Sequence, residues 1–414
     1  VPRVSWQSVD GGGALGINHD TTRDAHYPQL TVFGSDLYVT WYEDTVPSSQ
    51  IRVARMVDAG QGATWQPIDG GGATGLNRDP TQAAFWSRLV TFNTRLYCYW
   101  YEKLINGTTT IRVAVYNGDP QNPIWSYVDG SPASGLRYDP SGTADYATLE
   151  SFNGKLYAAW RETDAQSPFQ IRVAVYNGND AAPAWNFVDR GAAGGINFNT
   201  GIEAYYPKLS AYNGKLYAMW YELNGISRTI HCAVYNSDDS IPLWNMIGGA
   251  DANGLNFDPS KDAHGPQMLT VSGSLYGLWY ERGADLISHV RVARYNGNDG
   301  NPSWSFVDGG TGAGLNRDPN ADAWWPRATG LGIQLFAAWT EPVQGVYRIH
   351  VSALDTGSGT WTPVEGGQGL DSPGAGSAEY PHMTTLGQKI FVAWSERRNG
   401  VLQVRVMRGD PATP

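Results

Sequence analysis

The chain has 414 residues and a formal net charge of −10, from 39 acidic and 29 basic side chains. That balance, with no cluster of Lys and Arg, excludes nucleic acid as a partner, because neutralising phosphates needs grouped cations. No run of about 18 apolar residues occurs, so no membrane-spanning helix is predicted. With 50 Gly, 24 Pro, 17 Trp and 23 Tyr against 16% charged residues, the composition suits many short strands joined by tight turns.

In chain order, residues 4–10 carry Trp6 and read as a strand that closes a unit before any unit has opened. Thereafter one pattern recurs. A tryptophan marks the middle of each unit (Trp41, Trp100, Trp160, Trp220, Trp279, Trp339 and Trp394), and a glutamate follows two residues later (Glu43, Glu102, Glu162, Glu222, Glu281, Glu341 and Glu396). Another tryptophan marks each unit's end: Trp65, Trp125, Trp185, Trp244, Trp304 and Trp361, with Trp6 as the seventh. Seven copies at a period of about 60 residues are the signature of a repeat architecture.

Within a unit four strands are predicted. The first follows a proline, as in Pro207-Lys-Leu-Ser-Ala-Tyr. Asn213-Gly214 then turns the chain into Lys-Leu-Tyr-Ala-Met-Trp-Tyr-Glu, a good hairpin signal. A variable loop leads to Ile-Arg-Val-Ala-Val-Tyr at 171–176, and a second turn leads to Trp-x-x-Val-Asp at 304–308. A longer loop with Gly-Leu-Asn-x-Asp-Pro runs to the next unit. Four strands per repeat predict an all-β, seven-bladed β-propeller with antiparallel blades, one domain over residues 1–414. Residues 1–10 are expected to supply the outer strand of the last blade, which removes an open sheet edge. Residues 409–414 read as a frayed tail.

Two cysteines, Cys98 and Cys232, lie in different repeats and are expected to be buried free thiols. No metal-ligand spacing of His or Cys occurs. Oxygen-bearing residues such as Asn256, Asp258 and Asp262 allow calcium as a minor alternative, but their spacing is not that of a Gly-centred calcium loop, and Asx-turns explain them equally well.

The recurring charged residues are the first candidate site. At the start of the third strand stand Arg52, Arg112, Arg172, His231, Arg291, His350 and Arg405, near the glutamates. One reading is a ring of internal ion pairs that braces the hairpins. The other is sugar recognition, with carboxylate and guanidinium hydrogen-bonding hydroxyls and an aromatic ring stacking on the sugar face. Aromatics such as Trp86, Tyr206 and Trp325, just before the first strands, supply the rings. A rival site lies at the channel mouth, where Asp145, Glu203, Glu379, His26, His264, Tyr205 and Tyr206 gather and could do acid–base work.

The strings Gly-Leu-Asn-x-Asp-Pro, Asn-Gly-Lys-Leu-Tyr-Ala-x-Trp-Tyr-Glu and Ile-Arg-Val-Ala-x-Tyr-Asn-Gly resemble secreted microbial β-propeller repeats over nearly the whole chain. A looser similarity is to fucose-binding propeller lectins, which use a Glu, an Arg and an aromatic between neighbouring blades. Here the Glu precedes the Arg and the repeat is longer. The Ser-x-Asp-x-Gly-x-x-Trp boxes of sialidases are absent. The regular blades favour a secreted, multivalent, lectin-like protein that needs no cofactor and has glycans as partners, with self-association open. A polysaccharide-cleaving lyase or hydrolase and a protein-interaction scaffold are the alternatives.

Overall fold

The structure, a computed structural model, describes residues 3–11, 15–58, 63–163, 168–189, 194–225, 227–249, 253–371 and 374–412. Seven four-stranded antiparallel sheets form the blades of a β-propeller, and the described residues contain no helix. Blade one consists of Ala25–Phe33, Asp36–Glu43, Gln50–Asp58 and Ala63–Pro67, counted from the channel outward, and blades two to six repeat the order. The seventh blade is built from Ala378–Leu386, Lys389–Arg398 and Val401–Pro411, with Val4–Ser8 as its fourth strand. The register places Trp6 opposite Gly409 and Val4 opposite Pro411. The expected closure therefore holds, but the expected tail at 409 does not, because Gly409, Asp410 and Pro411 are strand residues paired to the N-terminal segment.

Strand position explains the side-chain pattern. Second strands are covered on both faces by neighbouring blades and read as unbroken apolar runs, as in Lys215–Asn224. Their tryptophans are nearly or wholly buried. Asn213 (φ 47°) and Gly214 (φ 69°) make the two-residue hairpin turn that Asn-Gly favours. The fourth-strand tryptophans do a second job. Each indole N–H donates to a backbone oxygen at the fourth-strand edge of the preceding blade: Trp65 to Val9, Trp125 to Ile68, and so on to Trp361 on Val307, at 2.7–3.1 Å. Trp6 completes the circle on Val364 at 2.9 Å. Cys98 and Cys232 are buried free thiols, as expected.

Candidate active site at the channel mouth

The repeated glutamates face inward. All seven are at most 3% exposed. In blade four, Glu222 accepts the backbone N–H groups of Phe198 (2.6 Å) and Asn199 (3.0 Å) and the indole N–H of Trp220 (2.8 Å). The same three donors recur in blades one to six, where each carboxylate ties an inter-blade loop to a second strand. In blade seven Glu396 takes Trp394 and the Arg398 guanidinium instead.

The arginines are equally occupied, by an acid that closes the fourth strand: Arg52 with Asp69 (3.5 Å), Arg112 with Asp129 (3.1 Å), Arg172 with Asp189 (3.5 Å), Arg291 with Asp308 (3.6 Å) and Arg405 with Asp10 (2.9 Å). Only Arg112 also reaches its glutamate, Glu102, at 3.5 Å among the described pairs. The two expected readings of this set are thus both corrected. The arginines brace the fold through aspartates rather than through the glutamates. Glu43, Glu102, Glu162, Glu222, Glu281, Glu341 and Glu396, with Arg52, Arg112, Arg172, Arg291 and Arg405, offer no free edge to a sugar, because all of them are buried, at most 4% exposed, and a buried charge is held by internal partners.

The Asn-x-Asp-Pro loops are also internally satisfied. Asn256 accepts the Ile230 N–H and donates to the Arg228 and Lys261 carbonyls, Asp258 caps Ser260, and Asp262 pairs with Arg228. The calcium alternative loses these ligands to an Asx-turn. Among the described residues one group of His and acid side chains has ligand atoms within 4.8 Å of one another, namely Asp24, His26 and Asp44 in blade one. Asp24 already accepts the Leu402 N–H and faces Arg397, and His26 lies 3.3 Å from Asp44.

The mouth itself is built by a bulge in every inner strand, where the register against the second strand shifts. The residue at the shift has a left-handed backbone: Tyr27, Trp86, Tyr146, Tyr206, Gly265, Trp325 and Tyr380, with φ between 50° and 61°. Bulky residues rarely adopt it, at a cost of order 1–3 kcal/mol each, and such strain clusters at functional sites. A bulge re-aims a side chain, and here it turns six rings toward the axis. Tyr27 packs on Trp86 (4.2 Å between centroids) and Tyr380 (3.8 Å), and Tyr146 packs on Tyr206 (4.2 Å). Trp86 of blade two also meets Tyr206 of blade four (5.7 Å) and Trp325 of blade six (6.3 Å), so it lies across the centre. Trp86, Tyr206 and Trp325 therefore form one lid over the channel, not separate platforms at blade junctions.

Chemistry concentrates where the lid lacks a ring, at Gly265. His264 stacks on Tyr280 (5.2 Å) and meets the edge of Tyr221 (5.4 Å). Among the described residues no hydrogen bond holds either of its ring nitrogens. Burial, then the nearby Arg228 charge, lower its pKa to about 4, so the imidazole is neutral near pH 7. Burial raises Tyr280 to about 12 and also raises Tyr221, so both keep their protons. Arg228, about a third exposed, pairs with Asp262 at 3.3 Å. On the adjoining side Arg161 is clasped by Asp145 through two bonds (2.6 and 2.5 Å) and covers Phe169 and Tyr205, whose hydroxyl donates to Glu203.

Sequence reasoning found His264, Asp145, Glu203, Tyr205 and Tyr206 for this region and missed Tyr221, Tyr280, Arg161 and Arg228. The first three of the missed residues occupy the position between the repeated Trp and Glu. Strand alternation puts that position on the opposite face from both.

The sequence matches no protein-family model and no curated protein. Solved structures do resemble it. A polysaccharide lyase, Uly1, aligns over 93% of this chain and 90% of its own at 12% identity, with a TM-score of 0.58. The Penicillium chrysogenum α-L-arabinanase complexed with arabinobiose (14% identity, 99% and 98% covered) and the GH93 α-L-arabinofuranosidase of Fusarium graminearum (11%, 97% and 97%) lie at 0.46 and 0.48. At such identities the first likeness speaks for the fold. The expectation of a lectin-like protein with equal sites at blade junctions is overturned. Its glutamates and arginines are buried, its aromatics belong to the lid, and the structure at a TM-score of 0.58 is a polysaccharide lyase rather than a lectin.

Proposed function

We propose that the protein is a polysaccharide-cleaving enzyme that acts on uronate-containing chains by β-elimination at the mouth of the channel. The observation that carries this reading is the neutral His264, held between two protonated tyrosines beside a partly exposed arginine. A uronate C5–H becomes acidic only if the adjacent carboxylate is neutralised, and Arg228 can do that. His264 takes the C5 proton, the C4–O bond breaks as the C4=C5 double bond forms, and the Tyr280 hydroxyl gives a proton to the departing oxygen. Solvent then returns a proton from the imidazolium to the phenolate. The aromatic lid offers an apolar floor for the sugar rings. The same fold carries a polysaccharide lyase, so it accommodates such chemistry. Hydrolysis by two carboxylates is supported less well, because Asp145 is clasped by Arg161 and is not free to cycle a proton. A polymer of this kind is met outside the cell, so secretion remains part of the proposal.

The test is incubation with a panel of uronate polysaccharides, followed by ultraviolet absorbance of the unsaturated product. His264→Gln should lower the rate by roughly 10²–10⁴-fold. New reducing ends without the unsaturated chromophore would mean hydrolysis, and no cleavage of any panel member would remove the enzyme reading.

A further inference from the structure

Beneath the aromatic lid the channel holds side chains that the mouth chemistry does not use. The first residues paired after the bulges are Gln29, Arg88, Thr148, Lys208, Gln267, Arg327 and His382, and Gln29, Arg88, Arg327 and His382 of these come together in one cavity. Three of the seven are formal cations. Arg88, Lys208 and Arg327 pair with no carboxylate among the described residues, and Lys208 is only 7% exposed. The one acid on the inner strands below the mouth, Glu150, lies two residues further along its strand, is hydrogen-bonded by the Ala211 backbone, and forms no ion pair with any of the three among the described residues.

A small cavity of about 30 Å³ lies among Gln29, Arg88, Arg327 and His382, roofed by Tyr27, Trp86 and Tyr380. The hydrogen bonds around it orient donors into it. Gln29 Oε1 accepts the Leu89 N–H at 3.0 Å, which leaves its amide N–H groups free. His382 Nδ1 accepts the Leu30 N–H at 3.2 Å, so its proton sits on Nε2. Arg327 spends one N–H on the Pro326 carbonyl at 2.9 Å and keeps the rest.

We propose that this cavity binds one small inorganic anion of halide size, held by Arg88, Arg327, Gln29 and His382, with Lys208 supplying further positive charge. Lys208 is buried and Arg88, Arg327, Gln29 and His382 are half-buried, and like charges crowded into one narrow channel without a carboxylate favour a counter-ion. Without an anion, burial and the mutual repulsion of these cations lower Lys208 well below an ordinary amine and Arg327 to about 9. A bound anion reverses that. The volume suits one or two water-sized bodies, which favours chloride over phosphate or sulfate.

The test compares melting temperature in sodium chloride and sodium gluconate at equal ionic strength, since gluconate is too large to enter. Chloride at about a hundredfold excess over its dissociation constant should raise Tm by about 3 °C, saturably. Arg327→Gln should abolish the difference, while Arg228→Gln at the mouth should leave it intact. Identical melting in the two salts overturns the proposal, as does a chloride effect that survives Arg327→Gln and vanishes in Arg228→Gln. Should Arg327→Gln fail to fold, wild-type crystals grown in sodium bromide decide. An anomalous peak between Arg88 and Arg327 is expected, and a channel without one refutes the site.

Discussion

Replacing Glu222 by Ala removes a carboxylate that accepts three hydrogen bonds in a fully buried position. Each stranded donor costs roughly 1–3 kcal/mol. Water entering the vacated space restores part of this, so a net loss of about 3–5 kcal/mol is expected. An unfolding entropy of about 2.1 cal/mol/K per residue, over this length, makes 1 kcal/mol worth about 1 °C. Differential scanning calorimetry should therefore show Tm falling by about 3–6 °C. Glu222→Gln, which keeps one acceptor oxygen, should fall by roughly half as much. Scans at two heating rates separate an equilibrium shift from faster irreversible unfolding. A Glu222→Ala protein melting within 1 °C of the wild type would show that the carboxylate does not hold the inter-blade loop, and the account of all seven glutamates would fall with it.

Three further outcomes follow from the geometry. The pH profile of kcat/KM on a cleavable polysaccharide should rise through about pH 4, as His264 loses its proton, and stay level to neutrality; a midpoint near 6.5 would mean a solvated imidazole and no protected base. Because His264 titrates lower in the folded chain than its ordinary 6.5, the unfolded chain binds the extra proton between these values; stability should decline as pH falls through that window, and His264→Gln should flatten the decline in calorimetry. Deleting residues 1–10 removes the Trp6 hook and the Asp10 partner of Arg405 and bares the strand Val401–Pro411; a truncated protein that melts like the full chain would disprove closure by this strand.

The blade count and strand order were legible because every blade repeats the same Trp and Glu, and the closing strand because Trp6 stands where only a fourth strand has a tryptophan. The last strand was misread at Gly409-Asp410-Pro411. These are turn-forming residues; Gly409 pairs with Ile390 as well as Trp6, and Asp410 and Pro411 continue the strand against the distant Ser5 and Val4. For the charged set, spacing alone cannot tell a carboxylate turned inward from one turned outward. A better signal was present inside the repeats. Where Arg gives way to His231 the closing aspartate gives way to Gly248, and His231 meets the carbonyl of the next residue, Gly249, at 2.6 Å. Where it gives way to His350 the closing residue is Glu365, and the two meet at 3.1 Å. The channel anion cluster was not legible, because its members differ from blade to blade and only the axis brings them together.

Gly265 has a consequence for how such a molecule becomes directional. Blades copied from one another begin as equivalents, and a sevenfold ring of identical rings has no preferred side. At this one position the ring is missing. A β-carbon there would meet Tyr280 at 3.1 Å, so even Ala crowds that ring, and would touch Trp325 at 3.6 Å, in a backbone conformation (φ 61°) that suits glycine. Asymmetry here arises by subtraction: the loss of a single side chain marks one sector of the mouth as different, and His264, Tyr221, Tyr280 and Arg228 stand around that sector.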